Sequence, residues 1–327
     1  MTFADWLSET AAKVDAYGPR RGLRSGAFDF WGGALRHGCH TFGLDDRGTH
    51  VYDREWDVLV LLDTCRPDVL AEVAPDYPFL PEPGRIPTLT SVGSTSWEWL
   101  HDTFAPDRAD SVRNTAYVTG NAHTHRFGDE FPVDPEAFGL LDEVWRYGWD
   151  DEFSGMPPRP ITDRAVAVGR RREFDRMVVH YMQPHSPYRS LDVERDVDRP
   201  GEANLGVWDL LQDGTLPVET AWDAYRDNLR WVLDDLELLL ENLDADTVVV
   251  SSDHGEAFGE WGLYGHYRHV PVGVLRTVPW VELSATDEGT YEPTLEPPEV
   301  DADGADDPDD DETAELVEER LTALGYR

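Results

Sequence analysis

The sequence predicts an α/β fold, a mostly parallel central sheet with helices on both faces. Two observations carry this reading. Short apolar runs that stop abruptly at polar residues recur along the chain, as strands covered on both faces do. A long helix with one apolar stripe then separates two such runs, and strand–helix–strand alternation implies parallel neighbours. The chain of 327 residues is long enough for one large domain of this kind.

The elements follow in order. Phe3, Trp6, Leu7, Ala11 and Val14 have rough helical spacing, closed by Gly18-Pro19. Residues 1–55 read as a helical extension packed on the core. A membrane-surface helix would want basic residues on its polar face, and Lys13 is alone there. Asp57–Leu62 is the first buried strand, and Pro67 suits the first turn of a helix whose inner face is Val69, Leu70 and Val73. Thr115–Thr119 and Arg176–Met182 read as further strands, with an irregular insertion over 126–160 between them. From Glu219 to Leu243, Trp222, Tyr225, Leu229, Val232, Leu236, Leu239 and Leu243 form the helical stripe. Thr247–Ser251 is a buried strand and Val270–Leu275 a short one. The catalytic α/β unit is placed at 56–283, an acidic linker at 284–312 and a terminal helix at 313–327.

Composition narrows the function. Asp and Glu number 66 against 28 Lys and Arg, a formal charge of −38. Such a surface repels phosphate backbones and anionic membrane faces, so nucleic acid is excluded as an expected partner. Lys13 is the sole lysine. Acidic excess without lysine resembles adaptation to a cytosol of very high salt, as in haloarchaea. At ~1 M salt the Debye length is only ~3 Å, which makes such crowding of carboxylates tolerable. The fold is expected to be lost on dialysis into dilute buffer, and an unchanged melting temperature there would remove the reading. Cys39 and Cys65 are too few for a disulfide framework or a four-cysteine zinc site. No apolar stretch reaches the ~18 residues of a membrane span, and Met1–Gly18 lacks the apolar centre of a signal peptide. The expected location is the cytoplasm.

Ligands of open parallel sheets bind outside the carboxyl ends of the strands. Three strands end there in reactive groups: Asp63-Thr-Cys-Arg66-Pro-Asp68, Gln183-Pro-His185-Ser-Pro-Tyr188 and Ser251-Ser-Asp253-His254-Gly-Glu256. Parallel strands bring Asp63, His185, Asp253 and His254 to one rim, and two carboxylates with imidazole suit a divalent metal. Each has a plainer explanation: a helix cap for Asp63, a turn for Asp253-His-Gly, a loop histidine for His185. The hydroxyls of Gly93-Ser94-Thr95-Ser96 precede a helix. Thr95-Ser-Trp-Glu98 fits a capping box. The same place also suits a nucleophile, because a helix N-terminus favours an incoming phosphate or sulfate.

The order of these motifs resembles the alkaline phosphatase/sulfatase superfamily over roughly Trp56–Leu275. Asp63-x-x-Arg66-x-Asp68, Pro184-His185-x-Pro187-Tyr188 and Asp253-His-Gly-Glu256, with Gly259, Glu260, Gly262 and His266 following, carry the resemblance. It implies one divalent ion (Mn, Zn, Mg or Ca) held by Asp63, Asp253, His254 and the nucleophile. It implies His185 and His266 at the substrate anion or leaving oxygen, and Arg66, Ser94 and His269 as further substrate-binding candidates. His269 lies three residues beyond His266 and could instead sit outside the pocket, and Arg66 could equally form a structural ion pair. Sulfatases build their nucleophile from the cysteine of Cys-x-Pro-x-Arg. Here Val69 occupies the arginine position, which argues against Cys65. Gly93-Ser94-Thr95-Ser96 is closer to the Gly-x-Thr-Ser of lipoteichoic acid synthases and phosphoethanolamine transferases, which points to Thr95 with Ser94 in reserve.

The expected function is a metal-dependent hydrolase or group transferase acting on phosphate or sulfate esters, small or glycan-linked, through a covalent Thr or Ser ester. The competing reading is a catalytically silent relative serving as an anion-binding or scaffold module.

Overall fold

The computed structural model describes residues 3–43, 48–171, 173–191, 206–298 and Arg320. The chain opens with a helical hairpin, α1 (Phe3–Tyr17) and α2 (Pro19–Thr41), turning at Gly18 with φ 82°, where a side chain would be strained. Glycines let the two helices meet closely. A Cβ at Gly22 would collide with the Val14 backbone, and one at Gly26 with the Thr10 side chain. The Trp6 indole donates to Gly26 O at 2.6 Å, and Lys13 pairs with Asp29 at 2.6 Å. The second helix of this hairpin turns mainly glycines inward, with only Phe28 and Leu35 adding apolar contacts, so periodicity did not announce it.

The strands are β1 (Val58–Leu62), β2 (Thr88–Thr90), β3 (Thr115–Thr119), β4 (Leu140–Glu143), β5 (Arg176–Tyr181), β6 (Ala245–Ser251), β7 (Ala257–Phe258), β8 (Tyr264–Gly265), β9 (Thr277–Pro279) and β10 (Val281–Ala285). Six build the central sheet in the order β10-β6-β1-β5-β3-β4. All its pairings are parallel except that of the edge strand β10 with β6. β1 is fully buried over its whole length, as its unbroken Val/Leu sequence requires.

Side chains alternate across the sheet and fill two cores. Val58, Val60 and Leu62 face one side with α3 (Pro67–Val73), α6 (Pro158–Arg171) and the long helix Val218–Leu240. Leu59 and Leu61 face the other, with Trp99 and Leu100 of α4 (Ser96–Thr103) and Val112 of α5 (Ala109–Arg113). The long helix uses the stripe read from its sequence: Tyr225, Leu229, Val232, Leu236 and Leu239 are all fully buried.

Two segments differ from expectation. Val270–Leu275 is not a strand. Pro271 and Gly273 interrupt it, its amides bond locally (Val272 N to Val270 O, 2.8 Å), and it runs into the helical turn Gly273–Arg276. Its apolar residues instead pack with Ala257 and Leu263. The acidic segment read as a linker from 284 starts as the end of β10. As far as 298 it is strapped onto α6, where buried Asp163 accepts from the Tyr291 hydroxyl (2.7 Å) and the Leu295 amide (2.7 Å). The rest of that linker, and the terminal helix apart from Arg320, lie outside the described residues.

Candidate active site

Strand period continues into the site. On β1 the residues facing α4 are Leu59 and Leu61, and the next in step is Asp63. On β6 they are Val249 and Ser251, and the next is Asp253. On β3 they are Tyr117 and Thr119, then Asn121. On β5, Val178 is followed by His180, one register step before Asp63. Parallel neighbours thus deliver two carboxylates, an imidazole and an amide to one spot at the carboxyl rim.

The carboxylates are fully buried. Asp63 Oδ2 accepts from Asn121 Nδ2 at 3.3 Å and from Ser96 Oγ at 3.2 Å. Asp253 Oδ1 accepts from the amides of His254 (2.9 Å) and Thr64 (3.2 Å). Its Oδ2 has no hydrogen-bond partner. That oxygen stands 3.5 Å from His254 Nε2 and 3.8 Å from His180 Nε2. His254 places Nδ1 2.8 Å from the Gly255 carbonyl, which can only accept, so Nδ1 carries the proton and Nε2 offers its lone pair to the cluster. Burial pushes the Asp63 carboxyl up. The His180 hydrogen bond and the electrostatic influence of the neighbouring His185 and His254 outweigh it and hold the group well below the usual carboxylate range.

A divalent cation fits this set. Two buried carboxylates with an unpartnered oxygen between imidazoles are costly without a positive charge, and two oxygens, a neutral imidazole nitrogen and a hydroxyl are ligands of the Zn/Mn kind. Asp63, His180 and Asp253 alone already bring ligand atoms within 4.8 Å of one another. His180 differs from His254 in its backing. Thr119 Oγ1 donates to the Tyr117 hydroxyl (3.2 Å), which lies 2.8 Å from His180 Nδ1. With Tyr117 donating onward, the His180 proton sits on Nε2, facing Asp63 Oδ2 at 3.4 Å.

The hydroxyl in the cluster belongs to Ser96, 3.3 Å from His254 Nε2. Thr95, the residue the sequence pattern favours, caps α4 and accepts from the Glu98 amide at 3.3 Å. Ser94 is drawn the other way. Its hydroxyl bonds Glu98 Oε2 (2.5 Å) and the Tyr267 carbonyl (2.9 Å), tying the cap of α4 to the 267–270 loop. His269 joins this knot, with Nδ1 2.8 Å from Glu98 Oε1 and half the side chain in solvent. Arg66 is also committed elsewhere. It forks onto Asp68, bonds Glu260 (2.7 Å) and the Glu256 carbonyl (2.9 Å), and lies over the Trp222 ring. It clamps two rim loops together rather than facing the carboxylates. Cys65 turns into the opposite core, where burial raises its thiol pKa far out of the reactive range.

A second cluster adjoins the first. His185, Glu256 and His266 bring ligand atoms within 4.8 Å of one another. The His266 ring centre lies 4.6 Å from that of His254 and 5.3 Å from that of His185. Asn228 of the long helix pins the His185 loop by donating to the carbonyls of His185 (3.1 Å) and Pro187 (2.8 Å). Burial lowers the pKa of His185. Burial works on His266 the same way, but Glu256, 3.0 Å from Nδ1, overcomes it by charge and hydrogen bond and raises the imidazole pKa.

Sequence reasoning left out Ser96 as first choice, and did not assign His180, Asn121 or Glu256. The alternation of β5 was the signal for His180, since it shares the face of Val178.

No family model matches the chain, and no curated protein matches it. Solved structures do. An integral membrane lipooligosaccharide phosphoethanolamine transferase A from Neisseria meningitidis aligns with a TM-score of 0.50 and 13% identity, over 74% of this chain and 51% of that one. The chain therefore spans about half the length of that protein. The soluble domain of that enzyme aligns at 0.49 and 15% identity, over 74% and 81%. The periplasmic domain of a related Escherichia coli protein, solved with zinc, aligns at 0.47 and 12% identity, over 74% and 76%. No described helix is long and apolar enough to cross a membrane. The likeness is one of architecture: the chain has an alkaline-phosphatase-like α/β fold, similar to that of the phosphoethanolamine transferase.

Proposed function

We propose that the protein is a metal-dependent hydrolase or group transferase of phosphate or sulfate esters, working through a covalent ester on Ser96. One observation supports this above the rest: the Ser96 hydroxyl stands at a helix N-terminus within 3.3 Å of both Asp63 and His254. Asp63, Asp253 and His254 would hold the ion. A divalent cation bound there supplies charge that stabilises the attacked anion and lowers the pKa of a neighbouring alcohol.

The residues of the chain account for the remaining steps. Asp63 Oδ2 accepts the Ser96 hydroxyl hydrogen and orients Oγ, whose proton is lost to solvent as Oγ bonds to phosphorus or sulfur. The bond from that atom to the leaving oxygen breaks, and the leaving alkoxide takes a proton from His266, whose pKa Glu256 raises. The positive end of the α4 dipole favours the anion. Water, or an acceptor hydroxyl, then attacks the Ser96 ester and restores the serine. Thr95 serves this arrangement by fixing the first turn of α4.

The test is a panel of aryl phosphate, phosphodiester, phosphonate and sulfate esters in molar KCl with Mn, Zn or Mg, on wild type, Ser96→Ala and Thr95→Ala. Ser96→Ala should lose at least roughly a thousandfold in kcat, within the range seen for removed nucleophiles. Thr95→Ala should keep most of it. A dead Thr95→Ala beside an active Ser96→Ala would return the attack to Thr95. Protein that holds no divalent ion and turns over no ester would favour the silent scaffold.

A further inference from the structure

The acidity of this chain stops at its N-terminal hairpin. Across Pro19–Thr41 the helix α2 carries Arg20, Arg21, Arg24 and Arg36 against one acid, Asp29, and Lys13 neutralises that acid. The other acids of the hairpin, Asp5, Glu9 and Asp15, are all on α1. Arg21 is paired with Asp213, but Arg20 and Arg24 stand exposed.

The same place concentrates exposed apolar surface. Seven large apolar side chains are exposed among the described residues: Leu7, Leu23, Phe30, Trp31, Phe42, Val218 and Trp261. Five belong to the hairpin and its end. A sixth, Trp261, is tied to it, because its carbonyl accepts from the Trp31 indole at 2.7 Å. Helical spacing makes this one surface. Leu23, Ala27, Phe30 and Ala34 follow i+3, i+4 steps along the outside of α2, with Arg20 and Arg24 at its start, while Gly22, Gly26 and Gly32 face inward.

We infer that this hairpin is a docking surface for an anionic lipid bilayer. Contiguous apolar surface of this kind marks an interaction site. An aromatic and leucine face beside arginines is the composition of a helix that lies in the interface of a membrane. The inner face of α2 meets a loop of the candidate site. The loop that carries Trp261 carries His266, and Tyr267 packs beneath Gly32 while its carbonyl receives the Ser94 hydroxyl. The net charge of −38 opposes long-range attraction to anionic lipid. At ~1 M salt that repulsion fades beyond ~3 Å while direct contacts persist, so binding strengthens as salt is raised. None of this depends on the proposed chemistry.

The experiment is co-sedimentation of the full chain with phosphatidylglycerol vesicles and with phosphatidylcholine vesicles, from dilute to molar KCl, beside light scattering without lipid. Circular dichroism checks the fold. Wild type should bind phosphatidylglycerol vesicles in molar KCl. Leu23→Asp and Ala27→Asp alter exposed positions and should each lower the partition coefficient at least tenfold. Arg20→Gln with Arg24→Gln should erase the preference for phosphatidylglycerol over phosphatidylcholine. Failure to bind either vesicle, binding untouched by both aspartates, or equal affinity of the wild type for the two lipids overturns the inference. So does a homodimer that Leu23→Asp dissolves, which would assign the face to a second copy.

Discussion

Two clusters of polar side chains meet at the carboxyl rim, and they are built differently. Asp63, Asp253 and His254 follow directly from strands β1 and β6, flanked by His180 within β5. His185, Glu256 and His266 sit on loops beyond the strands. The first has two carboxylates and an imidazole whose lone pair faces inward, so it lacks positive charge. The second has one carboxylate for two imidazoles and can carry its own proton. Under the proposed function the contrast is a division of labour: the strand ends would fix a cation and the loops would supply a proton. Charge balance, more than residue type, separates the two roles.

The strongest way to break this contrast is to remove a carboxylate from the first cluster. Asp253→Asn should abolish tight divalent binding and lower kcat by at least roughly a thousandfold. It should also relieve like-charge repulsion in the metal-free protein. Wild type should therefore gain melting temperature on adding Mn or Zn, by about 2.7 kcal/mol of stability at a hundredfold excess over Kd. The variant should melt higher than wild type without metal and respond little to it. A wild type indifferent to the ion in differential scanning calorimetry would dismiss the first cluster as a metal centre.

The second cluster calls for a gentler change. Glu256→Gln keeps shape but removes the charge that raises the His266 pKa. Proton delivery matters most for a basic leaving group, and general acid catalysis is worth about a hundredfold or more. The variant should lose about that factor on alkyl esters and much less on nitrophenyl esters, with metal content unchanged. Equal losses on both substrates would mean that Glu256 serves binding or structure, and the proposed division would fail.

Much of this was legible before any coordinates. Apolar runs ending in Asp63 and in Asp253-His254 fixed the rim, because buried parallel strands admit few other readings and their carboxyl ends must converge. The stripe of the long helix was equally plain. What escaped is instructive. His180 lies inside an apolar run, and only its parity with Val178 and Tyr117 shows which way it faces. Ser96 and Thr95 are adjacent hydroxyls at a helix start, and spacing alone does not say which one caps and which one turns inward. The helix α2 hides because it buries glycines, so Leu23, Phe30 and Trp31 face outward and only Phe28 and Leu35 pack inward. Val270–Leu275 misleads in the opposite sense: its valines suit a strand, but Pro271 and Gly273 deny it a ladder.

His180 tests how far the first cluster depends on its backing. Tyr117→Phe removes the hydroxyl 2.8 Å from His180 Nδ1 while keeping a ring in the aromatic core with Phe104 and Phe138. The His180 ring then loses what fixes its orientation beside Asp63 and Asp253. Removing such outer support typically costs 10–100-fold in metal affinity or activity. The expected signature is weaker metal affinity with the Ser96 ester still forming at saturating ion. Unchanged affinity in a chelator competition would show that the strands alone hold the carboxylates in place.

The smallest effect separates the two neighbouring hydroxyls by stability rather than rate. Thr95→Ala removes the bond from the Glu98 amide to Oγ1, and the loss of such a cap costs about 1 kcal/mol. Glu98 also accepts from the amides of Ser94 and His269, so the start of α4 stays anchored. Ser96→Ala takes nothing from the cap. It deletes a hydroxyl whose acceptor, Asp63 Oδ2, keeps the Asn121 bond, so its cost in denaturant should stay below that of the lost cap. The two variants should therefore exchange rank between the two measurements, with Thr95→Ala weaker in fold and Ser96→Ala weaker in turnover. A Ser96→Ala protein as destabilised as Thr95→Ala would show that the serine holds the helix start together, and would leave the first cluster without its alcohol.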